Sequence, residues 1–196
     1  MYRGKMARSN KERTEATRLA LIEAARRLFV EKGYAETATP DIVAAAGVTR
    51  GALYHHFEDK KALFRATIER EAAAVSARIE KISMPAGSPR EALLLGAAAY
   101  FDAMAEPGRT RLLLLDAPAV LGLEAAAAID RDHAEGTLKA GLSDLMGPDM
   151  GREKLRALTD LLSAAFDRAA IAIEAGGDRA AYAGAIADLV DGLVRA

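Results

Sequence analysis

The chain has 196 residues, 51% of them hydrophobic and 28% charged, with a formal net charge of −1 and no cysteine. That length holds one large domain or two small ones with ample core. The missing thiols exclude disulfides and thiolate chemistry and fit a reducing compartment, here the cytoplasm. The longest uncharged apolar run, Ala92 to Phe101, is ten residues and too short to span a bilayer, and the opening residues have no apolar segment behind their basic ones, so no secretory leader is expected. Ala and Leu dominate, Gly and Pro act as punctuation and β-branched runs are absent, which predicts an all-α protein. The charge is asymmetric. Residues 1–65 hold 13 Lys/Arg against 8 Asp/Glu, or +5, and residues 66–196 hold 14 against 20, or −6. A basic domain over 1–65, followed by an acidic one over 66–196, suggests a polyanionic partner for the first.

In chain order, residues 1–12 read as a basic tail carrying Arg3, Lys5, Arg8 and Lys11, a source of non-specific attraction to phosphates. From Arg13 to Lys32 the spacing predicts a helix. Ile22, Ala25 and Phe29 recur at three and four residues with Leu28 alongside, Glu23 and Arg27 pair at i,i+4, and Gly33-Tyr34 ends the run.

The stretch Thr39 to Lys60, TPDIVAAAGVTRGALYHHFEDK, is the most informative part of the chain. Thr39 is predicted as an N-cap, with Pro40 at the first helical position and Asp41 in the first turn. Ile42, Val43 and Ala46 are its apolar positions, and Gly47 ends the helix as a left-handed residue. Thr49 then caps a second helix, Arg50 to His55 or His56, and Val48 and Leu53 fill the angle between the two. Two short helices about a Gly-containing turn form the helix-turn-helix signature. In DNA-binding versions the second helix enters the major groove. Arg50 can fork onto guanine O6 and N7. Gly51 costs about 1 kcal/mol against Ala inside a helix, which suggests a close approach. Ala52 can touch a thymine methyl, and Tyr54, His55 and Lys60 offer donors to phosphates. The same pattern also occurs as a plain helical corner; the basic balance around it favours DNA.

Phe57 should pack inward and Asp59 should cap a long helix, Lys60 to about Ile82, whose stripe is Phe64, Ile68, Ala72, Val75, Ile79 and Ile82. Such a helix spans roughly 35 Å and runs from the basic region into the acidic one. Met84-Pro85-Ala86-Gly87 breaks the pattern, and Ser88-Pro89-Arg90-Glu91 is a capping box. The helix after it shows Leu93, Leu94, Ala97, Tyr100, Phe101 and Met104 on one side and stops at Pro107-Gly108. Arg109 to Asp116 contains Leu112 to Leu115 and is apolar all round, which predicts a short helix central to the body. Further helices are expected from Leu121 to Met146, from Arg152 to Ala175, and from the Asp178 cap to about Arg195. The last is rich in small residues, and the last two helices suit a four-helix dimer seam.

Thr14 to Ile68 resembles the DNA-binding domain of the tetracycline-repressor (TetR) family of bacterial transcription regulators. The match lies in the order and spacing of LFVEKGY followed by TPDIVAAAGVTRGALYHHFEDKKALF, and LLLLDAPAVLG, residues 112–122, resembles a segment of some members. The resemblance implies an all-α homodimer with an N-terminal three-helix helix-turn-helix DNA-binding domain and a C-terminal helical domain for ligand binding and dimerisation. It implies a ligand-responsive regulator, a repressor, that binds palindromic double-stranded operator DNA, pairs through its last two helices and is released by a small-molecule effector. Carried over by position, Thr39 and Lys60 match phosphate contacts, and Arg50, Gly51, Ala52, Tyr54 and His55 match the recognition surface, with Thr49 at its start. Tyr100, Phe101, Met104, Leu113, Leu121, His133 and Phe166 are the candidate pocket residues.

No cofactor or metal is expected. The three histidines are His55, His56 and His133, and adjacent His55 and His56 diverge on a helix. No Gly-rich phosphate loop or nucleophile motif suggests an enzyme. The competing reading is a helical-bundle ligand carrier or enzyme that does not bind DNA.

Overall fold

The computed structural model describes residues 10–195. Among them are ten α-helices, one π-helical segment and no strand, as the composition requires. The chain divides into two compact units, the first ending at Thr67 and the second beginning at Ile68.

In the first unit α1 (Asn10–Glu36) buries Leu21, Ile22, Ala25 and Phe29, with Leu28 half-buried. It begins at Asn10, so Lys11 and Glu12, expected in the tail, are helical, while Arg3, Lys5 and Arg8 lie outside the described residues. Gly33 interrupts α1 at φ 80° and ψ 165°. A buried hydroxyl faces the carbonyls freed there: Thr37 Oγ1 lies 2.7 Å from the Gly33 carbonyl oxygen, to which it donates, and 3.1 Å from that of Leu28, which can share the same proton.

In α2 (Thr39–Ala46) the N-cap is Ala38, not Thr39. Thr39 has entered the helix and its side chain makes no capping bond, so Pro40 takes the second helical position, where its missing N–H is still harmless. Gly47 closes α2 in the left-handed region (φ 66°, ψ 30°). Thr49 Oγ1 accepts from the Ala52 N–H at 3.2 Å and so starts α3 (Arg50–His56). Asp59 Oδ1 accepts from the Ala62 N–H at 2.7 Å at the head of α4 (Lys60–Ser83). Ile42, Leu53, Phe57, Leu63 and Phe64 are buried together with the α1 face. The Phe29, Tyr34 and Phe64 rings meet with centroids 5.0 to 5.7 Å apart, two of the three contacts being edge-on.

The second unit is built on the rest of α4, α5 (Pro89–Met104), α8 (Ala134–Met146), α9 (Arg152–Glu174) and α10 (Arg179–Arg195), with a π-helical segment (Arg111–Asp116), α6 (Ala117–Leu121) and α7 (Leu123–Arg131) between α5 and α8. Ala72, Val75 and Ile79 of α4 point into its core, whereas Ile82 in the last turn is exposed. Val75, Tyr100, Phe101, Met104, Phe166 and Ile186 centre one cluster, and Leu93, Leu142, Leu162 and Val190 form another. The capping box of α5 forms in part: Ser88 Oγ accepts from the Glu91 N–H at 3.2 Å, while Glu91 reaches one residue beyond the N-cap and accepts from the Gly87 N–H at 2.8 Å. Arg109, nearly buried, donates to Glu71 at 2.8 Å and to the Ala103 carbonyl at 2.7 Å, and fastens the chain after α5 to α4.

Two further expectations need correction. The four leucines are not enclosed: Leu112 is buried, Leu113 and Leu114 are half-buried, and Leu115 is 49% exposed. The segment is π-helical and turns one side outward. The single helix expected from Leu121 to Met146 is two, because Gly122 adopts φ 95° and His133 leaves the helical region at φ −127°, ψ −102°. Both pieces keep apolar positions at helical spacing, so periodicity alone does not show the joint. No helix of the described residues is long and apolar enough to cross a membrane.

A Cβ built at Gly47 meets nothing within 4 Å, so substitution there tests backbone conformation alone. Gly47→Ala should cost about 1–2 kcal/mol, read in urea melts as a lower midpoint with an unchanged slope.

Candidate nucleic-acid interface and ligand cavity

One side chain sets the orientation of α3. Leu53 is 1% exposed and Ile42 of α2 fully buried, with Val48 half-buried at the turn. A helix with Leu53 inward turns Gly51, Tyr54 and His55 away from the core; Arg50, one turn before Leu53, is exposed because it stands at the first position of α3, and all four are exposed, with Tyr54 at 46%. Ala52 is half-buried and Thr49 exposed. The Arg50 guanidinium lies 5.5 Å from the Tyr54 ring centroid one turn on, which holds both at the surface. A Cβ on Gly51 would meet only the Thr49 hydroxyl, at 3.9 Å. Nothing in its own chain demands glycine there.

The flanking candidates sit differently. Thr39 is half-buried at the start of α2. The Lys60 ammonium is engaged with the end of α1: it donates to the carbonyls of Tyr34 at 2.9 Å and Thr37 at 3.0 Å and lies 4.3 Å from the centre of the Tyr34 ring. Lys32 and Asp41 join α1 to α2 at 3.0 Å. The His56 imidazole is held below its ordinary pKa, by burial first and then by the charges of His55 and Arg18.

The second unit contains two adjoining cavities. The larger, about 490 Å³, lies among α4, α5, α8 and α9 and is walled by Ile79, Leu93, Tyr100, Leu138 and Phe166. The smaller, about 280 Å³, reaches Val75, Met104, Leu113 and Ile171. Tyr100, Asp130, Ala134 and Asp167 line both and form the partition. Of the candidate pocket residues, Tyr100 and Phe166 line the larger cavity, and Tyr100, Met104 and Leu113 the smaller. Phe101, Leu121 and His133 line neither. Phe101 packs in the core with its ring 5.8 Å from Tyr100 and 5.9 Å from Phe166. His133 occupies the break before α8.

Asp130 and Asp167 escape sequence reasoning, and they are the polar centre of the partition. The Tyr100 O–H donates to Asp167 Oδ1 at 2.7 Å, and the Ser163 O–H donates to Asp130 Oδ2 at 3.2 Å. Burial, and then the charge of Asp167, lifts the Asp130 carboxyl to about 6. Burial also raises Asp167, against the pull of the Tyr100 hydrogen bond. The Tyr100 phenol is pushed well above its usual value by burial and the neighbouring carboxylate. The only sequence signal is Asp167 standing inside the apolar spacing of Leu162, Phe166 and Ala170. Among the described residues no group of His, Cys, Asp or Glu is placed to hold a metal ion.

An all-helical chain that opens with a helix-turn-helix unit and continues into a hollow helical body belongs to the two-unit class of helix-turn-helix proteins. Comparison with known proteins places it more closely. Residues 21–67 match "Bacterial regulatory proteins, tetR family" and residues 90–196 match "Tetracyclin repressor-like, C-terminal domain". The chain belongs to the TetR family. It is 47% identical over 64 residues to the regulator TtgR of Pseudomonas putida, an alignment covering 33% of this chain and 30% of that one. It is 48% identical over 59 residues to AcrR of Shigella flexneri, covering 30% and 27%. The chain thus aligns with under a third of the length of these relatives. Over the whole fold it is similar to a TetR-family transcriptional regulator from Pectobacterium atrosepticum, with 32% identity, a TM-score of 0.69 and 96% of each chain covered. The regulator FadR of Bacillus subtilis, solved with stearoyl-CoA, shares the fold at 16% identity and a TM-score of 0.73, covering 88% and 96%.

Two stability predictions follow from this geometry. Lys60→Met removes a donor from the Tyr34 and Thr37 carbonyls and should cost on the order of 1–3 kcal/mol in denaturant melts. Asp130 has a pKa of about 6 in the folded chain, against ~3.9 unfolded. Between these values the folded state holds a proton that the unfolded state has lost, so this group's contribution falls as pH rises from about 4 to 6 and stays low above that. Asp130→Asn, which keeps an acceptor for Ser163, should raise the melting temperature at about pH 8 by several degrees and confer little at about pH 4.

Proposed function

We propose that the chain is a ligand-controlled transcriptional repressor that binds palindromic operator DNA as a homodimer. The observation that carries this reading is the outward face of α3, where Arg50, Gly51, Tyr54 and His55 are exposed around a buried Leu53. Arg50 reads a base edge, Gly51 and Ala52 allow the helix close to the groove floor, and Tyr54 and His55 donate to the backbone. Thr39, Thr49 and Lys60 serve phosphates on either side, Lys60 from its seat at the end of α1.

The last two helices support the pairing. Leu161 of α9 is 68% exposed and Leu189 of α10 51% exposed, and a Cβ at Gly184 or Gly192 would meet nothing of its own chain within 4 Å. A two-fold dimer through this surface presents two recognition helices to major grooves roughly 34–36 Å apart. The effector occupies the larger cavity. Ile79, Glu80 and Ser83, which line it, lie on the same helix that begins at Lys60 in the first unit. An occupant that favours one setting of α4 weakens DNA binding; a coupling of about 1–3 kcal/mol corresponds to 5- to 150-fold. The neighbour solved with stearoyl-CoA supports ligand occupancy of such a fold, and the relatives above carry the names of regulators rather than enzymes.

Footprinting on the DNA upstream of its own coding sequence should show a two-fold symmetric site spanning two successive major grooves; an asymmetric site in one groove would overturn the dimer reading. Arg50→Ala should cost about 1–3 kcal/mol on the operator and relax preference at one base position per half-site, with non-specific DNA little affected. A uniform loss on every sequence would remove Arg50 from base reading.

A further inference from the structure

We infer that the larger cavity takes an apolar organic cation, an amine or quaternary ammonium on a hydrocarbon or aromatic body. The inference rests on the reading of this cavity as the effector site. Its volume, about 490 Å³, lies within the range of small-molecule sites, roughly 300–1,000 Å³. Five carboxylates line it, Glu80, Asp130, Glu135, Asp144 and Asp167, and among the described residues no Lys, Arg or His lines this cavity or its smaller neighbour.

The two carboxylates in the partition are the telling ones. Each is bonded to a neutral hydroxyl, Asp167 to Tyr100 and Asp130 to Ser163. A hydroxyl gives one hydrogen bond and no charge. Arg131 and His133 act on Asp130 only through space and line neither cavity. A carboxylate withdrawn from water without a cation is costly, and here two share one wall. A ligand cation would supply the missing partner to both. The Tyr100 and Phe166 rings, 5.6 Å apart and edge-on to each other, line the same cavity and place aromatic surface near such a cation, while Ile79, Leu93 and Leu138 cover its apolar part. An anion of the acyl-CoA kind would bring its phosphates against five acids.

Calorimetry on the full chain near neutral pH tests this with three probes of one skeleton: 4-phenylbutylamine, 4-phenylbutanol and 4-phenylbutanoate. The amine is expected to bind at least about tenfold more tightly than the alcohol, and the carboxylate more weakly than either. In D130N/D167N, with folding checked by circular dichroism and D130N alone as a second variant, the preference for the amine should collapse while alcohol affinity is kept. Equal or tighter binding of the alcohol or the carboxylate would overturn the cation inference and leave the cavity as an effector site. A preference for the amine that survives in D130N/D167N would overturn the role of these two residues. Failure of all three probes to bind would overturn both the inference and the reading of the cavity on which it rests.

Discussion

The burial of Leu53 is the constraint on which the functional surface depends. Seven residues are too few to hold a helix in water without tertiary support. The helix α3 persists because Leu53 and Phe57 are packed into the core with Ile42 and Leu63, because Thr49 caps its start, and because Gly47 sets its entry through a left-handed turn. Once Leu53 faces inward, the 3.6-residue period turns Gly51, Tyr54 and His55 away from the core, and Arg50 is exposed at the start of the helix. The candidate DNA face is therefore a consequence of core packing, and the edge-on contacts of Phe29, Tyr34 and Phe64 give that packing its rigidity.

The second unit combines tight and loose packing at neighbouring points. A Cβ on Gly141 would stand 2.7 Å from Leu93 Cδ2, so α8 and α5 touch as closely there as glycine allows. Beside that contact the same two helices, with α4 and α9, enclose a cavity. Empty volume forfeits dispersion contacts, and Asp130 and Asp167 add the cost of poorly solvated acids. A body that retains both features is not optimised for its unliganded stability. The expense is concentrated where Tyr100 and Phe166 provide the aromatic surface.

What could be read from the chain divides along the range of the interactions. The helix-turn-helix was legible because its determinants are local: the Gly47 turn, the Thr49 cap and the Asp59 cap each act within three or four residues. The Ala38 cap was missed because a side-chain preference was applied to Thr39, whose hydroxyl plays no part. The joint at His133 was missed because both flanking pieces satisfy a helical period. The partition acids were out of reach for a different reason. Tyr100 and Asp167 are 67 residues apart, and an aspartate is ordinarily assigned to the surface. Aromatic stripes located the helices of the body but did not say which side lines a cavity: Phe101 follows Tyr100, points about 100° away, and ends in the core instead.

The costly acids and the helix-turn-helix are joined through α4. At neutral pH a carboxyl titrating near 6 is mostly ionised, so the folded chain carries its desolvation with only the Ser163 hydrogen bond and the through-space pull of His133 and Arg131 to oppose it. In the proposed complex an occupant that pairs with the acid would recover that free energy in a cavity that Ile79, Glu80 and Ser83 of α4 help to frame. The binding energy of such a ligand is thus tied to the setting of one helix, and the same helix buries Leu63 and Phe64 in the core that orients α3. On the proposed reading linkage would work in both directions: if a ligand changed the affinity for DNA through α4, DNA would change the affinity for the ligand by the same factor.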